Sequence, residues 1–181
     1  NENKVVESCR LNGTPLIKRV TGGRALHHEP SELTYSIAVN CRGIRAESLT
    51  GSISQSSRHI SLALLEFLNA LEIRAHYVRQ NSAGFASTAS FHTQPCFESL
   101  ARNEIVSDRG KIIASAQRRM GDGFLQHGSI KINGVAPHSA LPSECNNPLN
   151  NNDIRPLTDV EFERYSKLFS DTVGHSLGIT I

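Results

Sequence analysis

Three common features are missing from this 181-residue chain: a long apolar run, a strong excess of one charge, and a closely spaced cysteine pair. The longest strongly apolar stretch, residues 60–71, is far shorter than the ~20 residues that cross a bilayer. The first residues lead into no apolar segment of the kind found in signal peptides. The formal net charge is only +2, which disfavours nucleic acid as a partner. We therefore expect neither a membrane span nor nucleic-acid binding.

The cysteines and histidines show no metal-binding or redox spacing. There are four cysteines, Cys9, Cys41, Cys96 and Cys145. Zinc ribbons and dithiol redox sites need a CxxC pair, and none occurs. No HExxH sequence is present, and the adjacent His27 and His28 would point to opposite sides of a strand. We predict no metal, and cysteines this sparse in a chain this long favour reduced thiols and a cytoplasmic setting.

Periodic patterns predict a single α+β domain spanning residues 1–181. Residues 33–39 alternate as a strand with one buried face. Residues 54–71 have the spacing of an amphipathic helix preceded by serine caps, and Thr158 with Glu161 is a capping-box pattern that starts a final helix. Weaker patterns predict strands at 15–20, 75–78 and 124–132 and a hairpin over 104–113. The 38% apolar and 20% charged composition is that of a globular protein, and the elements together predict a mixed or mostly antiparallel sheet with helices on its faces.

A candidate nucleophile lies in the polar, non-periodic residues 79–102. Long segments of this kind in compact domains are more often functional than idle. Cys96 follows Pro95 there, whereas a structural cysteine is usually buried in an apolar element. A catalytic thiolate needs access and a cationic neighbour. Lys111 and the Arg118-Arg119 pair are candidate cations if the hairpin folds under the loop.

Two further motifs could bind a ligand, although each has an ordinary alternative. Lys111 precedes Ile112 and Ile113, so partial desolvation would suit it to neutralise developing charge; a solvated lysine beside a turn is the commoner case. Gly22 and Gly23 would allow close backbone approach, with amides available to an anion or carbonyl. Taken alone, an ordinary hairpin turn explains that pair better.

Four blocks, in order along the chain, resemble the signature of the lipoate/octanoate protein ligase and transferase family. They are Arg19-Val20-Thr21-Gly22-Gly23-Arg24-Ala25-Leu26-His27-His28 with Glu32-Leu33-Thr34-Tyr35-Ser36, Pro95-Cys96-Phe97-Glu98, Gly110-Lys111-Ile112-Ile113-Ala114-Ser115-Ala116-Gln117-Arg118-Arg119, and Leu125-Gln126-His127-Gly128-Ser129-Ile130. The resemblance runs from about residue 13 to 132, and residues 158–177 fit the family's final helix. It implies the biotin/lipoate ligase catalytic-domain fold, which is class II synthetase-like. Because the chain begins near the first block, we expect the family's N-terminal strand and helix to be missing.

The Cys-Phe and Leu-Gln-His-Gly-Ser-Ile motifs resemble those of octanoyltransferases of the ligase-like branch. The resemblance implies that Cys96 attacks octanoyl-acyl carrier protein and forms a thioester. A lysine of a lipoyl domain, such as that of the glycine-cleavage H protein, then takes the octanoyl or lipoyl group in lipoate biosynthesis. Lys111 matches the family's invariant lysine. The implied substrate-binding residues are Arg19, Gly22, Gly23, His28, Ser115, Gln117, His127 and Gly128. The transferase reaction implies no cofactor.

Two other functions remain open at this point. One is an ATP-dependent lipoate–protein ligase, which would use Lys111 and the glycine pair around a lipoyl-adenylate and would require ATP and Mg. The other is a non-catalytic paralogue that binds a lipoyl domain or acyl carrier protein. The chain departs from the family pattern at Ala114, where glycine is usual, at Gly110, where a basic residue is common, and in a longer loop near Pro30-Ser31. The proline-serine that often follows Cys-Phe is also absent.

Overall fold

The structure is a computed structural model of the chain. It describes residues 2–22, 26, 28–42, 47–77, 104–107, 110–132 and 155–179. The elements follow one another as α1 Glu2–Leu11, β1 Glu32–Asn40, α2 Glu47–Thr50, α3 Ile53–Ala70, β2 His76–Tyr77, β3 Ile105–Ser107, β4 Gly110–Met120, β5 Gly123–Lys131 and α4 Asp159–Leu177. None of the described helices is long and apolar enough to cross a membrane.

The five strands among the described residues form one antiparallel sheet, in the order β1-β5-β4-β3-β2. The α+β prediction with a mostly antiparallel sheet is therefore confirmed. β4 and β5 form a hairpin across Gly121 and Asp122. β1, which comes much earlier in the chain, pairs along the whole of β5 on its other side. A Cβ at Gly123 would lie 2.5 Å from the Val39 carbonyl oxygen, so only glycine fits where β5 begins beside the end of β1.

The two faces of this sheet have different surroundings. One face, here called the helix face, packs against α3 and α4, and the Tyr35 ring lies 5.5 Å from the Phe169 ring of α4. Pairing places these residues on the helix face: Leu33, Tyr35, Ile37, Ile113, Ser115, Gln117, Phe124, Gln126, Gly128 and Ile130. The opposite face, here called the polar face, carries the alternate residues: Glu32, Thr34, Ser36, Ala114, Ala116, Arg118, His127, Ser129 and Lys131.

Both long helices begin where the sequence predicts. Ser52 accepts the Gln55 amide at the start of α3 while the Gln55 side chain accepts the Ser52 amide, which is a reciprocal capping box. Thr158 and Glu161 form the same arrangement at α4. α3 then buries Ile60, Leu64 and other members of its apolar stripe against the sheet. Tertiary burial and local capping therefore favour the same helix boundaries.

The predicted strand at residues 15–20 is wrong. This segment joins no ladder with the strands that the structure describes, and Leu16 and Ile17 are 57% and 89% exposed. Leu16, Ile17 and Val20 are residue types suited to a strand, but a strand also requires a partner for its backbone amides and carbonyls. The other predicted strands and helices correspond to β1, β2, the β3–β4 hairpin, β5, α3 and α4 within one or two residues, except that β4 continues to Met120, seven residues beyond the predicted end of the hairpin.

Candidate active site on the polar face

Lys111 reaches the polar face because β4 contains an extra residue. Ile105 pairs with Ile113, whereas the next residue of β3, Val106, pairs with Lys111. β3 thus advances by one residue where β4 advances by two, which is the pattern of a β-bulge at Ile112. Directly paired residues share a face. Lys111 therefore lies on the same face as Val106, and Ile113 lies on the other face with Ile105. Without the bulge, strict alternation would place Lys111 on the helix face.

The Lys111 ammonium is buried and paired with a carboxylate. Its side chain is only 2% exposed, and Nζ donates to Glu104 Oε1 at 2.6 Å. Glu104 precedes Val106 by two residues, so the strand alternation that positions Val106 brings this carboxylate to the same face. A cation fixed in a poorly solvated position is suited to stabilise an oxyanion that develops beside it. Sequence reasoning identified Lys111 but missed Glu104.

A second group of predicted residues meets around His127. Thr21 Oγ1 lies 2.6 Å from His127 Nε2, and Arg118 donates to the Val20 carbonyl oxygen at 2.6 Å. These two contacts hold the turn that contains Gly22 against the polar face. Gly22 has φ 70, a conformation that glycine adopts without strain. Burial, followed by the charge of Arg19 and a smaller electrostatic contribution from His28, lowers the pKa of His127 below its ordinary value.

A charged cluster lies at the end of the polar face beside this turn. Lys131 and Glu32 are cross-strand partners, and Nζ donates to Glu32 Oε2 at 2.6 Å and to Glu29 Oε2 at 3.3 Å. Glu32 Oε1 contacts His28 Nδ1. Burial alone would raise the pKa of Glu32, but hydrogen bonds from His28 and Lys131, together with the Lys131 charge, hold it below its ordinary value. Glu32 is therefore an ionised carboxylate between two donors.

Three other predicted substrate-binding residues lie on the helix face. Ser115 Oγ is 2.6 Å from the Tyr35 hydroxyl. Gln117 Nε2 donates to Gln126 Oε1 at 3.0 Å. A Cβ at Gly128 would lie 2.3 Å from the Ala114 carbonyl oxygen and 2.9 Å from Tyr35 Cε1. The structure therefore gives Ser115, Gln117 and Gly128 packing and hydrogen-bonding partners on the side of the sheet away from His28, Lys111 and His127.

Cys96 and Gly23, two of the predicted site residues, lie outside the described residues. Cys9, buried in α1, and Cys41, which follows β1, are both free thiols. Across the part of the chain that the structure describes, no three metal-ligating side chains cluster. The residues that sequence reasoning missed are Glu104, Glu32, Glu29 and Lys131. Glu32 stood inside the Glu-Leu-Thr-Tyr-Ser block, and its position opposite Lys131 depended on a strand pairing that the sequence does not display.

The sheet and its helices have the architecture of lipoate-protein ligases. A crystal structure of lipoate-protein ligase A bound with ATP matches with a TM-score of 0.63 at 16% identity, covering 97% of this chain and 64% of that one. A bi-partite lipoate protein ligase from Thermoplasma acidophilum, described with its E2 lipoyl domain, matches with a TM-score of 0.60 at 16% identity, covering 97% and 63%. At these identities the likeness establishes the fold.

The chain belongs to the lipoyl protein ligase A/B catalytic domain family, whose model matches residues 1–147. Its curated relatives include octanoyltransferases named LipM. The one from Kyrpidia tusciae is 35% identical over 126 residues, covering 70% of this chain and 44% of the relative. The one from Carboxydothermus hydrogenoformans is 37% identical over 124 residues, covering 68% and 42%. The chain therefore spans less than half the length of these relatives.

Proposed function

We propose that the chain transfers an octanoyl group from acyl carrier protein to a lysine of a lipoyl domain in lipoate biosynthesis, through a thioester on Cys96. The observation that carries this proposal is the buried Lys111–Glu104 ion pair, which the bulge at Ile112 turns onto the polar face. The similarity to curated octanoyltransferases supports the same reaction. The acceptor we expect is a protein of the glycine-cleavage H type.

The reaction has two half-reactions that share one carbonyl carbon. In the first, the Cys96 thiolate attacks the octanoyl thioester, a new C–S bond forms, and the carrier thiolate leaves with its electron pair and takes up a proton. In the second, the acceptor amine attacks the Cys96 thioester, an amide forms, and Cys96 is released. Thioester exchange needs no ATP because one thioester replaces another. Covalent capture also allows two protein partners to use one site in turn.

Lys111 has the role of oxyanion stabiliser in both half-reactions. Each tetrahedral intermediate carries a negative oxygen, and a preorganised cation in a poorly solvated site stabilises that charge. Arg19, Gly22, His28 and His127 are expected to surround the acyl group, since the contacts above gather them on the polar face. The chemistry requires a reduced thiol at Cys96, which is why we place the reaction in the cytoplasm.

Intact-mass measurement tests the proposal directly. The protein is incubated with octanoyl-acyl carrier protein without ATP, and we expect it to gain one octanoyl group. The gain should disappear in Cys96→Ala and persist in Cys41→Ala, the matched control at a free thiol. Subsequent addition of a lipoyl domain should move the group to that domain.

Two other outcomes would replace the proposal. Acylation of the lipoyl domain that requires ATP and free fatty acid or lipoate, with no adduct on Cys96, would identify a ligase, which is the activity of the solved structures with this fold. Stable binding to the lipoyl domain or to acyl carrier protein without either reaction would identify a non-catalytic binding protein.

A further inference from the structure

We propose that His28 is the general base that removes a proton from the acceptor lysine, with Glu32 and Lys131 as positioning residues behind it. This inference rests on the proposed octanoyl transfer and assigns a group to its second half-reaction. It depends on the arrangement of one exposed imidazole against one buried carboxylate, and nothing in the family match or the relatives' names assigns it.

The two oxygens of Glu32 serve different partners. Oε1 contacts His28 Nδ1, and Oε2 accepts from Lys131 Nζ at 2.6 Å. The Glu32 side chain is 3% exposed while that of His28 is 58% exposed. The Glu32 carboxylate is therefore buried on the polar face. The His28 imidazole that it contacts is exposed on that face, where a partner protein can approach it.

This arrangement selects the tautomer of His28. An ionised carboxylate can only accept hydrogen bonds, so Nδ1 must carry the hydrogen that it shares with Glu32. A neutral imidazole has one N–H, which leaves Nε2 as an unprotonated acceptor. Thr34 Oγ1, 3.5 Å from Nδ1, lies on the same side of the ring and does not compete for Nε2. Carboxylates orient catalytic histidines in hydrolase triads by the same means.

Lys131 keeps the carboxylate ionised and in place. Its side chain is 4% exposed, and it contacts both Glu29 and Glu32. Glu29 belongs to the loop that carries His28, so this ammonium ties the loop to β5. His127 lies on the same face and is electrostatically coupled to both His28 and Arg19.

The second half-reaction needs a base that Lys111 does not supply. A lysine side chain has an ordinary pKa of about 10.4 and is an ammonium at neutral pH, with no lone pair for attack. Lys111 Nζ already donates to Glu104 Oε1 and is assigned to the oxyanion. His28 Nε2 takes a proton from the acceptor ammonium, the freed lone pair forms the C–N bond, and the C–S bond to Cys96 breaks. The Cys96 thiolate leaves with that electron pair, the nitrogen's remaining excess proton passes to the solvent, and His28 gives its proton to the thiolate.

A single-turnover experiment separates the two half-reactions in His28→Gln. We expect transfer of the octanoyl group from Cys96 to a lipoyl domain to slow by about 10²-fold at pH 7, and formation of the adduct, in which His28 only lines the acyl site, to slow far less. The defect should shrink as pH approaches ~10, where the acceptor lysine loses its proton unaided. His175→Gln, in the last turn of α4, is the matched control and should leave both rates unchanged. Equal slowing of both half-reactions, or a defect independent of pH, would overturn the role of His28.

A second measurement decides the tautomer without any turnover. When the His28 ring is neutral, its ¹⁵N chemical shifts should show a hydrogen on Nδ1 and none on Nε2. Glu32→Gln should move the population toward the Nε2–H form. If the unsubstituted protein holds His28 as the Nε2–H tautomer, the proposed base does not exist. Absence of an octanoyl adduct in the unsubstituted protein would instead count against the transferase function, and the ring shifts would still judge the His28–Glu32 pair.

Discussion

The two faces of the sheet handle polar side chains in different ways. On the helix face, donors and acceptors satisfy one another in one continuous chain. It runs in order through Arg119, Ser56, Gln117, Gln126, Tyr35 and Ser115, with each contact between 2.6 and 3.3 Å. On the polar face, buried charges instead pair with one another and, at one point, with an exposed group. Lys131 and Glu32 form a buried pair behind the exposed His28, and the buried Lys111 pairs with Glu104, whose side chain is 15% exposed.

This difference shows that one signature block contributes to two tasks. In the Leu-Gln-His-Gly-Ser segment, Gln126 and Gly128 face the helices while His127 faces the opposite side. Gln126 and Gly128 are required for packing against Tyr35, and His127 is available for the site. Strand alternation therefore divides a contiguous motif between folding and chemistry.

The largest effect is expected at Lys111. Lys111→Met should slow octanoyl transfer by about 10²–10³-fold, which is ~3–4 kcal/mol of lost oxyanion stabilisation. It should also lower the free energy of unfolding, because Glu104 is left partly buried without this cation. Adding Glu104→Gln should recover the stability but not the rate. Urea unfolding and single-turnover kinetics measure the two quantities separately, and recovery of the rate in the double variant would show that Lys111 acts only through folding.

On the helix face we expect the opposite pattern at Gly128. Gly128→Ala places a methyl group 2.3 Å from the Ala114 carbonyl oxygen and 2.9 Å from the Tyr35 ring. Overpacking of this kind should lower the free energy of unfolding by about 1–3 kcal/mol. Gly121→Asn is the control, since nothing lies within 4 Å of that turn position and asparagine tolerates positive φ. Unchanged urea unfolding of Gly128→Ala would show that the glycine is not needed for packing.

A smaller loss is expected from Tyr35→Phe. The change leaves Gln126 Nε2 without its acceptor at 3.3 Å, and about 1 kcal/mol of stability should be lost at pH 7. Burial raises the pKa of Tyr35 above 10.0, even though hydrogen bonds with Ser115 and Gln126 oppose the shift. The unfolded chain therefore loses this proton first, so the hydroxyl's contribution is complete below pH ~10 and declines above it. Unfolding measured from pH 8 to 11 should show the difference between the two proteins narrowing, and a constant difference would contradict the assignment.

The smallest effect is expected at the start of α4, which belongs to neither face. Hydrogen bonds from Arg155 and from Thr158 lower the pKa of Glu161 from 4.5 to about 2. A lowered carboxyl pKa contributes stability above the unfolded value, and that contribution disappears as pH falls from 4.5 toward 2. Glu161→Gln should therefore match the unsubstituted protein near pH 2 and be slightly less stable at pH 6. A difference in thermal midpoint that does not depend on pH would contradict this origin.

The sequence predicted the elements whose local signals agree with tertiary burial. The alternation of residues 33–39 specified β1, and the stripe of Ile60 and Leu64 specified α3, because each buries one apolar side. Residues 15–20 contain apolar residues suited to a strand but have no strand to pair with among those described. A residue pattern specifies which side of a strand is buried, and it does not supply the partner strand.

The site was predictable as residue types and much less as geometry. Lys111 stood out beside Ile112, but its arrival on the polar face depends on a bulge that appears only in the pairing of β3 with β4. The family resemblance implies substrate binding at Ser115 and Gln117, whereas strand alternation turns their side chains toward Tyr35 and Gln126. In the His28–Glu32–Lys131 arrangement, Lys131 and Glu32 lie about a hundred positions apart in the chain. No local sequence pattern indicates a contact between such distant residues.

One paired measurement tests the division of the two faces most directly. Initial rates of octanoylated lipoyl-domain formation are compared for the Lys111→Met, Glu104→Gln double variant and for Ser115→Ala, both at a temperature where each protein is fully folded. We predict a loss of about 10²-fold or more in the double variant and a rate within about threefold of the unsubstituted protein in Ser115→Ala. Equal losses in the two variants, or a larger loss in Ser115→Ala, would contradict the assignment of chemistry to the polar face.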